Sequence, residues 1–175
     1  LLFGCTGFVG RELLPLLLQA GHQLTVVSRR LARGYDAERA DGRLTWMQFD
    51  PSSSSTWADA GLLDALNQAD AVVNLAGEPI AEKRWTPTHR QLLETSRLET
   101  TSQLVKAIEA CATPPKVLVN ASAIGFYGSS LDKRFFESST PGDDFLASLC
   151  ERWEAAAEAV PSAVRQVTLR IGIVL

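Results

Sequence analysis

The chain has 175 residues, 46% of them hydrophobic, a formal net charge of -3 and a sequence pI near 5.4, which suits one domain with a substantial core. That acidic balance argues against nucleic acid as the main partner, since phosphate-backbone binders carry a net basic surface. No run approaches the ~18 apolar residues of a membrane span and no signal peptide is visible. The 3 cysteines, Cys5, Cys111 and Cys150, lack metal-ligand spacing, so reduced thiols in the cytoplasm, or in an organellar stroma after loss of a transit peptide, are expected.

The first strand, about three residues long, runs into Gly4-Cys5-Thr6-Gly7-Phe8-Val9-Gly10 and then into the leucine-rich pattern from Leu13 to Leu18. Glycines let the backbone turn sharply and approach a pyrophosphate, whose charge meets the free N–H groups at the start of a helix. An ordinary strand-to-helix turn would use such glycines too. Gly21 stands where that helix should stop, and Gln23 to Ser28 reads as a second strand, which gives the motif the βαβ context it requires. In sites for NAD an acidic residue usually follows this strand to accept from the ribose 2′-OH. Here Ser28-Arg29-Arg30 follow, with Arg33 close behind, so a 2′-phosphate is the better match and NADP(H) is favoured over NAD(H).

Leu44 to Phe49 reads as the third strand, ending at Asp50-Pro51 and a short serine loop, and residues 58 to 68 as a short helix. Ala71 to Leu75 is a continuous apolar run of the kind buried in a parallel sheet. A long helix is predicted from Pro87 to Cys111, a fifth strand from Lys116 to Ala121, a helix from Asp144 to Ala159 and a last strand from Val167 to Leu175. Strand alternating with helix implies a doubly wound parallel α/β sheet, the Rossmann fold, with order 3-2-1-4-5-6. Residues 1–175 are read as one NAD(P)-binding domain, a fragment whose C-terminal substrate-binding part is absent.

Ligands of such sheets collect at the carboxyl ends of the strands. The loop after the fourth strand, Leu75-Ala76-Gly77-Glu78, and the segment Ser122-Ala123-Ile124-Gly125-Phe126-Tyr127 after the fifth therefore matter most. His22 and His89 lack metal-ligating neighbours, so a surface role is expected and no metal site is predicted. Trp46, Trp57, Trp85 and Trp153 are expected in packing, and Asp143-Asp144 as a helix cap.

Together these segments resemble the short-chain dehydrogenase/reductase superfamily, extended type, and most closely its atypical branch of epimerase family proteins. The resemblance rests on GCTGFVGREL at the start, NLAGEPIAEKRW at 74 to 85, SRLETT at 96 to 101, ASAIGFYG at 121 to 128, GDDFLASLCERWE at 142 to 154 and LRIGIVL at 169 to 175. It implies that Gly4, Thr6, Gly7, Phe8, Val9 and Gly10 form the pyrophosphate loop. Ser28, Arg29 and Arg30 would meet the 2′-phosphate, Asp50 would lie on the adenine side, and Leu75, Ala76 and Gly77 would form the cofactor-facing turn. Ser122 falls on the active-site Ser/Thr position.

One departure stands out. Ordinary members use a Tyr-x-x-x-Lys pair on the helix after the fifth strand, in which Lys lowers the tyrosine pKa and the phenol exchanges a proton as hydride moves to or from nicotinamide. No such pair exists in this chain, Leu146 and Cys150 stand in its place, and Arg97 occupies the usual position of a structural Asn. Tyr127 is the candidate acid/base beside Ser122. Glu78, Lys83 and Arg84 are candidate substrate contacts, and Cys150 reads as a buried, inert thiol. Two functions follow: an NADP-dependent oxidoreductase or epimerase acting on a small, sugar-like substrate, or an inactive NADP(H)-binding sensor or interaction protein. A homodimer through the helices after strands four and five is a further expectation, because Leu92, Leu93, Leu104, Val105 and Ile108 offer an apolar face that could equally be core.

Overall fold

Strands that alternate with helices and are apolar on both sides must be covered on both faces. The computed structural model describes residues 1–31 and 34–174, so Arg33 lies outside the described residues. The elements are β1 (Leu2–Phe3), α1 (Phe8–Gln19), β2 (Leu24–Ser28), α2 (Asp36–Ala40), β3 (Leu44–Gln48), α3 (Ala60–Asn67), β4 (Ala71–Asn74), α4 (Pro87–Glu109), β5 (Val117–Ala123), α5 (Phe145–Glu158) and β6 (Arg165–Ile171). Single 3-10 turns precede α3 at Ser54–Ala58 and follow β5 at Ile124–Tyr127.

All six strands are parallel and stand in the order β3-β2-β1-β4-β5-β6, the predicted Rossmann order. β1 is the centre strand: Leu2 pairs with Val26 on one side and Val73 on the other. Alternate residues feed two cores. Leu2, Val26 and Leu44 pack with Leu14 and Leu18 of α1, while Phe3, Val27, Val72 and Leu118 pack with Leu62 and Leu66 of α3 and Leu104 and Ile108 of α4.

Local signals set most boundaries. Pro87 stands in the first turn of α4, behind Thr86, whose hydroxyl accepts from the His89 N–H. Asp144 caps α5 by accepting from the Ala147 N–H at 2.9 Å, as expected, and Asp59 caps α3 in the same way. The final strand needs correction: it runs from Arg165 to Ile171 and Gly172 leaves the sheet. The reason is that β6 has one neighbour only, β5, and its register from Val117↔Arg165 to Ala123↔Ile171 ends with that partner. β5 in turn is two residues longer at its carboxyl end than predicted, which puts Ser122 on the strand. The short helix α2 was not foreseen, and the predicted helix 58 to 68 is divided at Asp59 between a 3-10 turn and α3.

Candidate active site

At the end of β1 the three glycines solve three different packing problems. Gly4 has φ +79, and a Cβ there would lie 2.5 Å from the carbonyl carbon of Leu75, so its absence lets the β1 turn press on the β4 turn. A Cβ on Gly10 would lie 2.4 Å from Cys5 Cα, so α1 can cross its own strand only with glycine there. Gly7 is the N-cap of α1 and brings no side chain to it. The N–H groups of Phe8, Val9 and Gly10 therefore have no intrahelical acceptor, and Thr6, Gly7 and Phe8 stand exposed at the open end. Such a backbone arrangement can cradle an anion.

Beyond β2, the Ser28 hydroxyl donates to the Arg30 carbonyl at 2.5 Å and accepts from the Trp46 indole N–H at 2.7 Å. That clamp fixes the turn and leaves the Arg29 and Arg30 side chains in solvent. Arg29 comes within 3.7 Å of the Glu78 carboxylate, which Lys83 also meets at 3.1 Å. Glu78 is thus a buried anion between two exposed cations, while Arg84 stands apart in solvent. Asp50, exposed beyond β3, uses its carboxylate to accept from the N–H and hydroxyl of Ser52.

The β4 turn is held from beneath by buried amides. The Asn74 side chain donates to Asn120 Oδ1 at 2.7 Å and to Thr101 Oγ1 at 3.1 Å, and accepts from the Ala76 N–H at 3.2 Å. The Trp153 indole also donates to Thr101 at 2.9 Å, tying α5 to α4 and to both strand ends. Sequence reasoning missed this chain of bonds; the only signal was an Asn within each of two otherwise apolar strand segments, at the end of β4 and in the middle of β5. Arg97, behind Gly77, donates to the carbonyls of Leu93 and Glu78 and lies 5.2 Å from the centre of a Trp153 ring. Burial pulls its guanidinium pKa below the ordinary value, with Cys150 and Glu78 opposing that shift.

Beyond β5 the hydroxyls expected to do chemistry are already engaged. Ser122 is buried and donates to Glu154 at 2.5 Å, and Arg170 closes on the same carboxylate with bonds of 2.9 and 2.8 Å. Arg170 also donates to the Tyr127 hydroxyl at 2.8 Å and lies 3.6 Å from the centre of the Phe126 ring. The Glu154 hydrogen bonds, ahead of that from Tyr127, raise its pKa further. Tyr127 stacks on Phe135 at 5.3 Å. Glu154 and Arg170 were not singled out from sequence, because their partners are 32 and 16 residues from Glu154 along the chain.

Other expectations resolve simply. Burial raises the pKa of the Cys150 thiol, in keeping with an inert cysteine. His89 corrects the surface reading: it is buried in the first turn of α4, on the one side of that turn that faces the protein, and its Nε2 has no hydrogen-bond partner among the described residues. Leu93, Leu104, Val105 and Ile108 are core residues, and only Leu92 of that face is exposed. Among the described residues, no helix is long and apolar enough to cross a membrane.

A glycine cradle at the carboxyl end of a centre strand, in a sheet of this order, agrees with the family model for the NAD dependent epimerase/dehydratase family, which matches residues 1–151. The chain belongs to that family. Human epimerase family protein SDR39U1 is 39% identical over 175 residues, covering 98% of this chain and 53% of its own. A crystal structure of the human protein, isoform 2, with NADPH superposes with a TM-score of 0.74 at 34% identity, covering 97% of this chain and 52% of that one. A nucleoside-diphosphate sugar epimerase from Corynebacterium glutamicum superposes with a TM-score of 0.72 at 30% identity, covering 97% and 32%. The chain thus spans about half the length of the curated relatives it matches. As a member of this epimerase family it has an NAD(P)-binding fold.

Proposed function

We propose that the chain is the dinucleotide-binding part of an NADP(H)-dependent oxidoreductase or epimerase acting on a small, sugar-like substrate. The observation that carries this reading is the charge arrangement at the end of β2, where Arg29 and Lys83 both meet the carboxylate of Glu78 and Arg30, next to Arg29 in the chain, stands in solvent. A bare ribose hydroxyl would gain little from that excess of positive charge, whereas a 2′-phosphate would gain charge-assisted hydrogen bonds. The cradle fits the rest of the group: the uncapped N–H groups of Phe8, Val9 and Gly10 suit a pyrophosphate, and the exposed Gly77 leaves room beside it. NADPH in the human relative and the sugar-nucleotide name of the bacterial one support the cofactor and substrate class. Once bound, the cofactor would supply hydride transfer at its nicotinamide. Ser122 and Tyr127 would then orient or protonate a substrate oxygen, with Arg170 fixing the phenol and Glu154 the serine.

A second reading, binding without turnover as a sensor or interaction partner, is favoured by the same network: both hydroxyls are committed to Arg170 and Glu154, and Leu146 and Cys150 offer neither acid nor cation. Hydride turnover that survives unchanged in Ser122→Ala and Tyr127→Phe would remove both from the mechanism. The cofactor reading is tested by titrating NADPH and NADH into wild type and Arg29→Ala. NADPH should bind more tightly, and the variant should lose about tenfold to a hundredfold in NADPH affinity, the worth of a charged hydrogen bond, with NADH unmoved. Equal affinities for the two dinucleotides in wild type would overturn it.

A further inference from the structure

Glu78 is a carboxylate that the fold buries and holds still. Its N–H donates to Ser96 Oγ at 3.0 Å and its carbonyl accepts from Arg97 at 3.0 Å, so α4 fixes the main chain on both sides of it. Only 10% of its side chain is exposed, and among the described residues two cations meet its carboxylate on unequal terms. Lys83 makes a hydrogen bond at 3.1 Å. Arg29 stands at 3.7 Å, beyond hydrogen-bond distance, with 62% of its side chain in solvent. The Arg29 carbonyl accepts from the Gln48 amide at 3.2 Å, so the main chain beneath it is tied down and only the guanidinium is left to turn.

A buried carboxylate stripped of its counter-ions is strongly destabilising. Arg29 can nevertheless leave this one, because Lys83 remains hydrogen-bonded to it. A phosphate arriving at the end of β2 offers Arg29 a doubly charged acceptor for two parallel bonds, in place of a carboxylate held by charge alone. The same carboxylate repels that phosphate, and its burial keeps water from screening the repulsion. We propose that Glu78 is a specificity-determining residue, a built-in anion that occupies Arg29 in the empty site and competes with the 2′-phosphate for it. With NADH, Arg29 stays on Glu78 and its charge is balanced. With NADPH, Arg29 turns to the phosphate while Lys83 keeps Glu78 paired. Arg29 thus creates a preference that Glu78 moderates. This assignment rests on the 2′-phosphate reading of Arg29 above.

NADPH and NADH differ only in the 2′-phosphate, so the ratio of their dissociation constants reads the competition directly. In calorimetric titrations of the full chain, Glu78→Gln keeps the shape, removes the charge and should tighten NADPH by about tenfold, with NADH nearly unchanged. Lys83→Met should act in the opposite sense and weaken NADPH, because Glu78 is then left with Arg29 alone. In the double variant, Lys83→Met should add nothing to Glu78→Gln. A further loss there would mean that Lys83 holds the phosphate itself, and that outcome overturns the proposal. So does a Glu78→Gln that weakens NADPH, the result expected of a residue that merely props Arg29 in place, or one that leaves the ratio unchanged. Should Glu78→Gln fail to fold, Glu78→Asp decides: its shorter side chain draws the charge back from Arg29 and must tighten NADPH in part. A wild type that binds neither dinucleotide defeats the cofactor reading itself, and this assignment falls with it.

Discussion

The two ends of the crevice are built from different materials. Around β1 and α1 the site is backbone: three glycines, uncapped N–H groups and a helix dipole, with no side chain needed to complete it. Around β5, α5 and β6 it is side chain: Ser122, Glu154, Arg170 and Tyr127 satisfy one another, and the half is closed upon itself. A backbone cradle is fixed by steric exclusion, so it tolerates no added atom. A side-chain network is fixed by mutual pairing, so it tolerates exchange only when partners change together.

The largest effect should come from adding one methyl group to the backbone half. Gly10→Ala places a carbon against Cys5 Cα, where neither strand nor helix can yield, and should cost about 3 kcal/mol of stability along with dinucleotide binding. Chemical denaturation and titration measure both. A variant with wild-type stability would mean that the cradle is softer than its geometry implies. Next comes the network half. Glu154→Gln leaves the Arg170 charge without its counter-ion and should cost about 2 kcal/mol, below the fully buried range because 20% of the Arg170 side chain remains exposed. Binding of 2′,5′-ADP should be unaffected; a parallel loss would show that the two ends are not independent.

The smallest effect concerns Cys5, beneath the cradle. Burial pushes its thiol up to about 12 from an ordinary 9.0. The sign follows from linkage: above pH 9 the unfolded thiol loses its proton while the folded one keeps it, so stability falls as pH rises toward 12. Between pH 8 and pH 10 wild type should lose about 1.4 kcal/mol more than Cys5→Ala. Equal slopes in the two proteins would mean that water reaches this side of the cradle.

The same division explains what could be read in advance. Strand order, the glycine turn, the arginines after β2, and the caps at Asp144 and Pro87 are local signals, each contained within a few residues. The Asn74–Asn120 bond is not local, because Asn74 closes β4 and Asn120 sits in the middle of β5 until the parallel register sets them side by side. Arg170 was part of a recognised segment, yet nothing near it in sequence shows that it pairs with Glu154 and Tyr127. The buried His89 was misread for a related reason: position at a helix end suggests exposure, and Pro87, Thr88 and Arg90 around it are exposed, but His89 itself is buried.

The two-residue strand β1 also bears on the order in which the molecule assembles. Its partners are Val26 and Val73, so the middle of the sheet is made well before one of its two neighbours, which follows some seventy positions later. Until β4 arrives, β1 and β2 present a bare apolar edge, the kind of surface on which nascent chains stick to one another. Closing that long loop costs entropy before any contact rewards it. Refolding should therefore be slow, and cutting the chain ahead of Ala71 should yield aggregate in place of a smaller domain.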